Sequence, residues 1–150
     1  MGEGLWAIGK KKAIASSLKT MGNKGFRNLI VWQKGKDLAV DIYKITNDRI
    51  FTKDFGLRDQ IRRSVISISS NIAEGDERDT DKEAVRFFFI AKGSLAELST
   101  QLQIASEIGY LDIKVYNDIE KRLVELGKML GSLIKARSKK WSQARGNGWR

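Results

Sequence analysis

Residues 80–105 read TDKEAVRFFFIAKGSLAELSTQLQIA, and this stretch decides the fold class. Its first four residues, Thr80 to Glu83, form a capping box, the pattern with which many helices begin. Apolar residues then recur at alternating steps of four and three, at Ala84, Phe88, Ala91, Leu95, Leu98, Leu102 and Ala105. This spacing is the heptad seam of a helix that packs against other helices. We therefore predict a long helix that ends at Gly109.

A second row of residues runs beside this seam on the same helix. Its members are Phe87, Ile90, Ser94, Glu97, Gln101, Ile104 and Ile108. A helix with two inward-facing rows contacts more than one neighbour. We therefore expect this helix to be central in the fold.

Three further stretches have helical spacing of apolar residues. The first runs from Leu29 to Ile45 and the second from Gly56 to Glu74, with Gly75 as its predicted C-cap. The third follows a predicted cap at Asp112, and its seam is Ile119, Leu123, Leu126, Leu130 and Leu133. Residues 47–54 are interpreted as a polar connection. Because the connections are short and no strand-like alternation occurs, the predicted fold is all-α, an antiparallel up-down four-helix bundle.

The residue types that the chain lacks exclude many kinds of active site. Among its 150 residues there is no Cys, no His and no Pro. This excludes thiol catalysis, Ser-His hydrolysis and metal sites built from Cys or His. No phosphate-binding glycine loop occurs either. We predict that the protein is not an enzyme and that it holds no metal or cofactor.

The positive charge is concentrated at the two ends of the chain. The net charge is +10, yet residues 28–134 carry almost equal numbers of acids and bases. We predict a basic N-terminal extension at 1–25, the bundle at 26–137 and a basic C-terminal tail at 138–150, with Met21 as an alternative start.

No apolar run approaches the roughly 20 residues that span a bilayer, so no membrane partner is expected. Without Cys or an export signal, the expected location is cytoplasmic.

A row of small polar side chains lies beside the apolar seam of the second predicted helix. We expect a network of packed polar residues between this helix and the next, formed by Gln60, Arg62, Arg63, Asn71, Glu74, Ser94 and Glu97. Buried polar groups need partners, so Glu97 is predicted to be partly buried. Its expected partner is Arg62 or Arg63, or else a hydrogen bond from Asn71. The alternative, a catalytic carboxylate, lacks a second acid, a base or a metal.

The same region carries a family resemblance. Residues 60–75, QIRRSVISISSNIAEG, resemble the signature of the four-helix bundle protein family, also called the ribosomal-RNA intervening-sequence proteins. Residues 26–33, 87–98 and 127–134 are similar too, and the resemblance covers about residues 26–136. Three features depart from the family pattern, which usually has Pro where Ser69 stands, another Pro near Phe51 to Lys53, and Ala where Ser64 stands. The N-terminal extension lies outside the resemblance.

The resemblance implies a left-handed four-helix bundle that assembles into a ring-shaped homo-oligomer, commonly a pentamer. It implies no established enzymatic activity. One branch of the family consists of accessory proteins of diversity-generating retroelements, which bind nucleic acid and the reverse transcriptase. An accessory or scaffold subunit that binds a reverse transcriptase and its RNA template is therefore an alternative function for this chain.

The basic ends favour a protein that binds RNA or DNA through phosphate contacts, with little sequence specificity. Lys and Arg neutralise phosphates, and Trp stacks on unpaired bases. The candidate contacts are Lys10, Lys11, Lys12, Lys135, Arg137, Lys139, Lys140, Arg145 and Trp141. Two alternatives stay open, namely that the ends are solvated tails and that the tryptophans pack at interfaces.

Overall fold

The computed structural model describes residues 25–146, which form five helices and no strand. After a 3-10 turn at Phe26–Asn28, the helices are α1 (Ile30–Ile45), α2 (Arg49–Thr52), α3 (Phe55–Asp76), α4 (Asp81–Glu107) and α5 (Ile113–Gly146). The predicted all-α class is confirmed for these residues. The predictions for Lys10, Lys11, Lys12 and Met21 lie outside the described residues.

Short polar side chains fix where the helices begin. Thr80 Oγ1 accepts a hydrogen bond from the Glu83 backbone N–H at 3.2 Å, as the capping box predicts. Asp54 Oδ1 accepts from the Leu57 N–H at 3.2 Å at the start of α3. Asp112 Oδ1 accepts from the Lys114 N–H at 2.8 Å before α5, which confirms the predicted cap. These bonds satisfy backbone donors that have no partner within the helix.

The connection predicted at residues 47–54 contains the short helix α2. Asp48 caps it by accepting from the Ile50 N–H at 3.1 Å. Its Phe51 side chain is only 1% exposed and contacts the Tyr110 ring edge-on, with 5.7 Å between the ring centroids. The polar residues on both sides of Ile50 and Phe51 concealed a helical turn that closes one end of the core.

The predicted seams form the core. Every seam residue of α4 from Ala84 to Ala105 is buried, together with Ile61, Val65, Ile68 and Ile72 of α3. In α5 the last buried seam residue is Ile134, whereas the predicted Leu133 is only half-buried. Burial of apolar area at roughly 25 cal/mol per Å² is the dominant force that holds such helices together.

The second row of α4 faces inward only in part in the described chain, where Ser94 and Gln101 contact α3. Of this row only Ser94 is buried, whereas Ile90 and Ile104 are each 45% exposed and Ile108 is 53% exposed. The reason is that α4 packs against α3 and α5 alone among the helices. The expected contact of this helix with more than one neighbour is therefore found, whereas the part of the row that includes Ile90, Glu97 and Ile104 is exposed in residues 25–146.

Gly75 lies inside α3 and is not the predicted C-cap. A Cβ atom at this position would lie 2.8 Å from Cε1 of Phe88 and 3.0 Å from the carbonyl oxygen of Ala84. Glycine is therefore needed where α3 and α4 approach each other most closely. Gly109 differs, because its φ of 83° ends α4 in the left-handed conformation that favours glycine.

Candidate nucleic-acid interface

The C-terminal part of α5 continues as a helix past the last buried residue of the bundle. Residues 138–146, here called the α5 extension, were predicted as part of a tail but are helical through Gly146. Arg137 contacts Asp81, the first residue of α4. At 1.5 Å per residue, the nine residues that follow reach about 13 Å further. The extension carries Lys139, Lys140 and Arg145, all exposed, and no acidic residue.

Trp141 lies between two cations on this surface. The guanidinium carbon of Arg145 is 5.1 Å from the centroid of the Trp141 ring, and the Lys82 Nζ atom is 6.0 Å from it. Trp141 is half-buried, and its contact with Lys82 joins the α5 extension to the first turn of α4. Cation–π contacts of this kind contribute roughly 0.5–1 kcal/mol at exposed sites. Stacking of Trp141 on a base stays a prediction.

Arg137 was predicted as a phosphate contact, but the structure gives it an internal role. Its Nη2 donates to Oδ1 of Asp76 at 2.7 Å and its Nη1 to Oδ1 of Asp81 at 2.9 Å. The Asp76 side chain is only 8% exposed. Two carboxylates therefore neutralise Arg137, and the residue anchors the α5 extension to the bundle. Lys135 remains an exposed candidate contact.

Arg62 of the predicted polar network faces α1 rather than α4. Arg62 Nε donates to the buried Thr46 Oγ1 at 2.9 Å, and its Nη2 donates to Asn47 Oδ1 at 3.1 Å. Its guanidinium also lies 4.4 Å from the centroid of the Tyr43 ring. Arg63 is exposed. Arg62 thus connects α3 to the C-terminal end of α1.

The contacts between α3 and α4 come from smaller groups. Ser94 Oγ donates to Ser67 Oγ at 2.8 Å, and Asn71 Nδ2 donates to the same oxygen at 2.9 Å. Gln101 Nε2 approaches Gln60 Oε1 at 3.4 Å. Ser94 and Gln101 thus contact α3 through polar groups, whereas the hydrogen bond of Asn71 stays within α3.

The predicted burial and pairing of Glu97 are wrong for the described chain. Glu97 is exposed, because in the helical register it lies further from the buried seam than Ser94 and Gln101, the members of its row that contact α3. Glu74 is exposed as well. Its carboxylate pairs at 2.7 Å with Arg78, which follows it by four residues. Neither carboxylate has the buried environment of a catalytic acid.

Sequence reasoning missed a row of lysines on the outer side of α5. Lys114, Lys121, Lys128 and Lys135 follow each other at intervals of seven residues, and Lys139 comes one turn later. We call these five residues the lysine row, and all are exposed. The signal was present in the sequence as a heptad of charged residues. It was hidden because nearby acids cancel it in the net charge of the segment.

Residues 25–146 contain neither a cluster of metal ligands nor a membrane-spanning helix. No three acidic side chains in this part of the chain lie close enough to hold a metal ion together. None of its helices combines the length and the apolar content that crossing a membrane requires.

Comparison with known proteins agrees with the fold and with the motifs. A solved structure from Bacteroides thetaiotaomicron VPI-5482, described as a protein with unknown function from the S23 ribosomal protein family, is 28% identical to this chain. It superposes with a TM-score of 0.66 over 71% of this chain and 99% of that one. No curated protein sequence matches. The model of the 23S rRNA-intervening sequence protein family matches residues 27–132, and the chain therefore belongs to that family, as its sequence motifs predict.

Proposed function

We propose that the protein is a non-enzymatic nucleic-acid-binding protein that contacts the phosphate groups of RNA or DNA with little sequence specificity. The observation that carries this proposal is the α5 extension. Three exposed cations, Lys139, Lys140 and Arg145, stand on one helix without an acid among them. Arg137 fixes the start of this helix segment to the bundle. The family name, which refers to 23S rRNA, favours RNA among the nucleic acids.

The physical basis is counterion release. Each phosphate that a lysine or arginine neutralises releases condensed cations, so affinity falls as the salt concentration rises. Contacts of this kind position a backbone but do not identify bases. An extension that offers cations, and no groove-reading motif that we recognise, is expected to bind with weak sequence preference.

We further propose that the bundle has up-down topology and assembles into a ring-shaped homo-oligomer, as the family resemblance implies. The exposed apolar side chains of α4, Ile90, Ile104 and Ile108, support self-association because a helix face of this kind is stabilised when a partner covers it. Assembly would place several α5 extensions on one particle. Weak individual contacts then add up through effective concentration.

The test is a salt titration with matched variants of the full chain. Binding of a fluorescent oligouridine is measured by anisotropy for the wild type, for K139Q/K140Q/R145Q and for the control K44Q/R49Q/K53Q. The control removes three exposed charges from α1, α2 and the turn after α2, near the opposite end of the bundle. Each lost contact lowers the magnitude of the slope of log K against log salt by about 0.7 for a single strand. The slope of the extension variant should therefore be about 2 smaller in magnitude than that of the wild type. The slope of the control should be almost unchanged.

Equal slopes for the two triple variants would contradict the proposal. A reverse-transcriptase partner and a cytoplasmic location stay predictions, because no contact or surface of the described residues favours either.

A further inference from the structure

The lysine row has a regular geometry. Seven residues of α-helix rise about 10.5 Å and turn 20° short of two full turns, so side chains at this interval stay on one side of the helix. From Lys114 to Lys139 the row therefore extends about 37 Å. The opposite side of α5 is its buried seam, which includes Leu123, Leu126 and Leu130. The helix thus separates an apolar face that packs from a cationic face that stays in solvent.

The acids that border the row do not neutralise it. Among residues 25–146, no carboxylate lies within ion-pair distance of any of its five lysines. Glu125, the acid that comes closest in the helical register to Lys121 and Lys128, pairs instead with Lys34 of α1 at 2.6 Å. Asp118, one turn after Lys114, remains on the flank of the row. The row therefore keeps most of its positive charge.

We propose that the lysine row is a phosphate-tracking surface along which the backbone of a nucleic acid lies parallel to α5. This inference rests on the proposed function and adds Lys114, Lys121 and Lys128 to the surface. A line of cations on one side of a rigid helix, four of them at equal intervals, matches a ligand whose negative charges also repeat along a line. The phosphodiester backbone has that chemistry. Lys135 and Lys139 join the row to the α5 extension, so that both form one continuous strip.

An anionic membrane surface fits the row less well. Helices that lie on membranes insert an apolar face beside their lysines. Most of the apolar face of α5 is occupied by the bundle core. The exposed Ile113 and Val124 lie 11 residues apart in sequence and do not form an inserting face. A linear polyanion is therefore the favoured ligand, and membrane binding is one outcome that the test distinguishes.

The test compares K121Q/K128Q/K135Q with the extension variant K139Q/K140Q/R145Q and with the control K44Q/R49Q/K53Q. All nine positions are exposed, and circular dichroism verifies that each variant is folded. A labelled oligouridine and a labelled RNA duplex are titrated at several salt concentrations. We expect the row variant to lose about 2 in the salt slope for the single strand and about 2.7 for the duplex.

The outcomes separate this inference from the proposed function. If the row variant behaves like the control while the extension variant loses its contacts, the row is not a nucleic-acid surface and the proposed function stands. If neither variant differs from the control, both fail. If the row variant loses binding to phosphatidylserine vesicles but keeps its RNA slope, the row is a membrane surface and the inference is overturned.

Discussion

The carboxylate of Asp76, the last residue of α3, accepts a 2.7 Å hydrogen bond from the guanidinium of Arg137 in α5. The same guanidinium donates to Asp81 at the start of α4 at 2.9 Å. An acid at a helix C-terminus is unfavourable for the helix dipole, whereas an acid at an N-terminus is favourable. The positive charge of Arg137 compensates the unfavourable carboxylate of Asp76. It also pairs with the favourably placed carboxylate of Asp81. The end of α3 and the start of α4 are therefore joined to α5 at the point from which the α5 extension leaves.

Replacing Arg137 with Met should destabilise the bundle, because Asp76 is left almost buried without its cation. Loss of one partner from a fully buried pair costs about 3–5 kcal/mol. Since 26% of the Arg137 side chain is exposed, we expect a smaller loss, about 1–3 kcal/mol. Urea denaturation measures it. D76N in the R137M background should recover part of the loss, and unchanged unfolding midpoints for R137M would contradict the anchor.

Replacing Gly75 with Ala should lower the stability of the protein, whereas replacing Gly93 with Ala should raise it. At Gly75 the new methyl group would lie 2.8 Å from Phe88 and 3.0 Å from the Ala84 carbonyl, so α3 and α4 must separate. Overpacking of this kind costs about 1–3 kcal/mol, which exceeds the gain in helix propensity. At Gly93, in the middle of α4, nothing lies within 4 Å of the added Cβ, and G93A should stabilise the protein by about 0.5–1 kcal/mol.

Thermal or urea unfolding of the two variants checks this pair. Equal effects of G75A and G93A would show that close helix approach is not the reason for glycine at position 75. Gly75 also illustrates a limit of sequence reasoning. A glycine near the end of an apolar seam has the pattern of a C-cap, and only the position of Phe88 on the neighbouring helix reveals its packing role.

The alkaline stability of the protein should depend on Tyr110. Its hydroxyl donates to Asp54 Oδ2 at 3.1 Å, and this hydrogen bond, with burial and the Asp54 charge, raises the pKa of Tyr110 above its ordinary value of 10.0. The folded state thus holds the phenolic proton more tightly than the unfolded state. The corresponding stability is fully present below pH 10 and is lost as the pH rises through the folded-state pKa.

Comparison of the wild type with Y110F isolates this contribution. Burial also raises the pKa of Tyr116, but that group is common to both proteins. We expect the unfolding free energy of the wild type to fall more steeply above pH 10 than that of Y110F. Parallel curves from neutral pH to the alkaline range would show that the Tyr110–Asp54 hydrogen bond does not influence folding.

The helices were predictable because each depends on local chemistry. The cap at Thr80 and the seam from Ala84 to Ala105 are written within 26 consecutive residues, and both are found in the structure. The partners of Arg137 are 56 and 61 residues away in sequence. No spacing rule connects residues at such distances, so a basic residue in a basic segment was interpreted as a phosphate contact.

The error at Glu97 has a different physical origin. The second row of α4 has the heptad spacing of a packed face, but within one chain only part of it contacts α3, through Ser94 and Gln101, and Glu97 is exposed. Ile90 and Ile104 flank Glu97 at seven residues on either side, and each is 45% exposed. The spacing is consistent with a packed face whose partner is another copy of the chain, as the proposed homo-oligomer requires.

The oligomeric state should therefore depend on this face of α4. Replacing Ile104 with Lys places a charge where the proposed contact is apolar, and a buried unpaired charge disfavours association. We expect I104K to have a lower molar mass than the wild type in light scattering coupled to size-exclusion chromatography. The control is I50K on α2, where the isoleucine is also exposed, at 38%, but lies off this face, and its mass should equal that of the wild type. Both side chains are outside the core, so unfolding of the protomer does not account for a difference between them. A wild type that elutes as a monomer, or an I104K variant with unchanged mass, would exclude this face as the contact between copies.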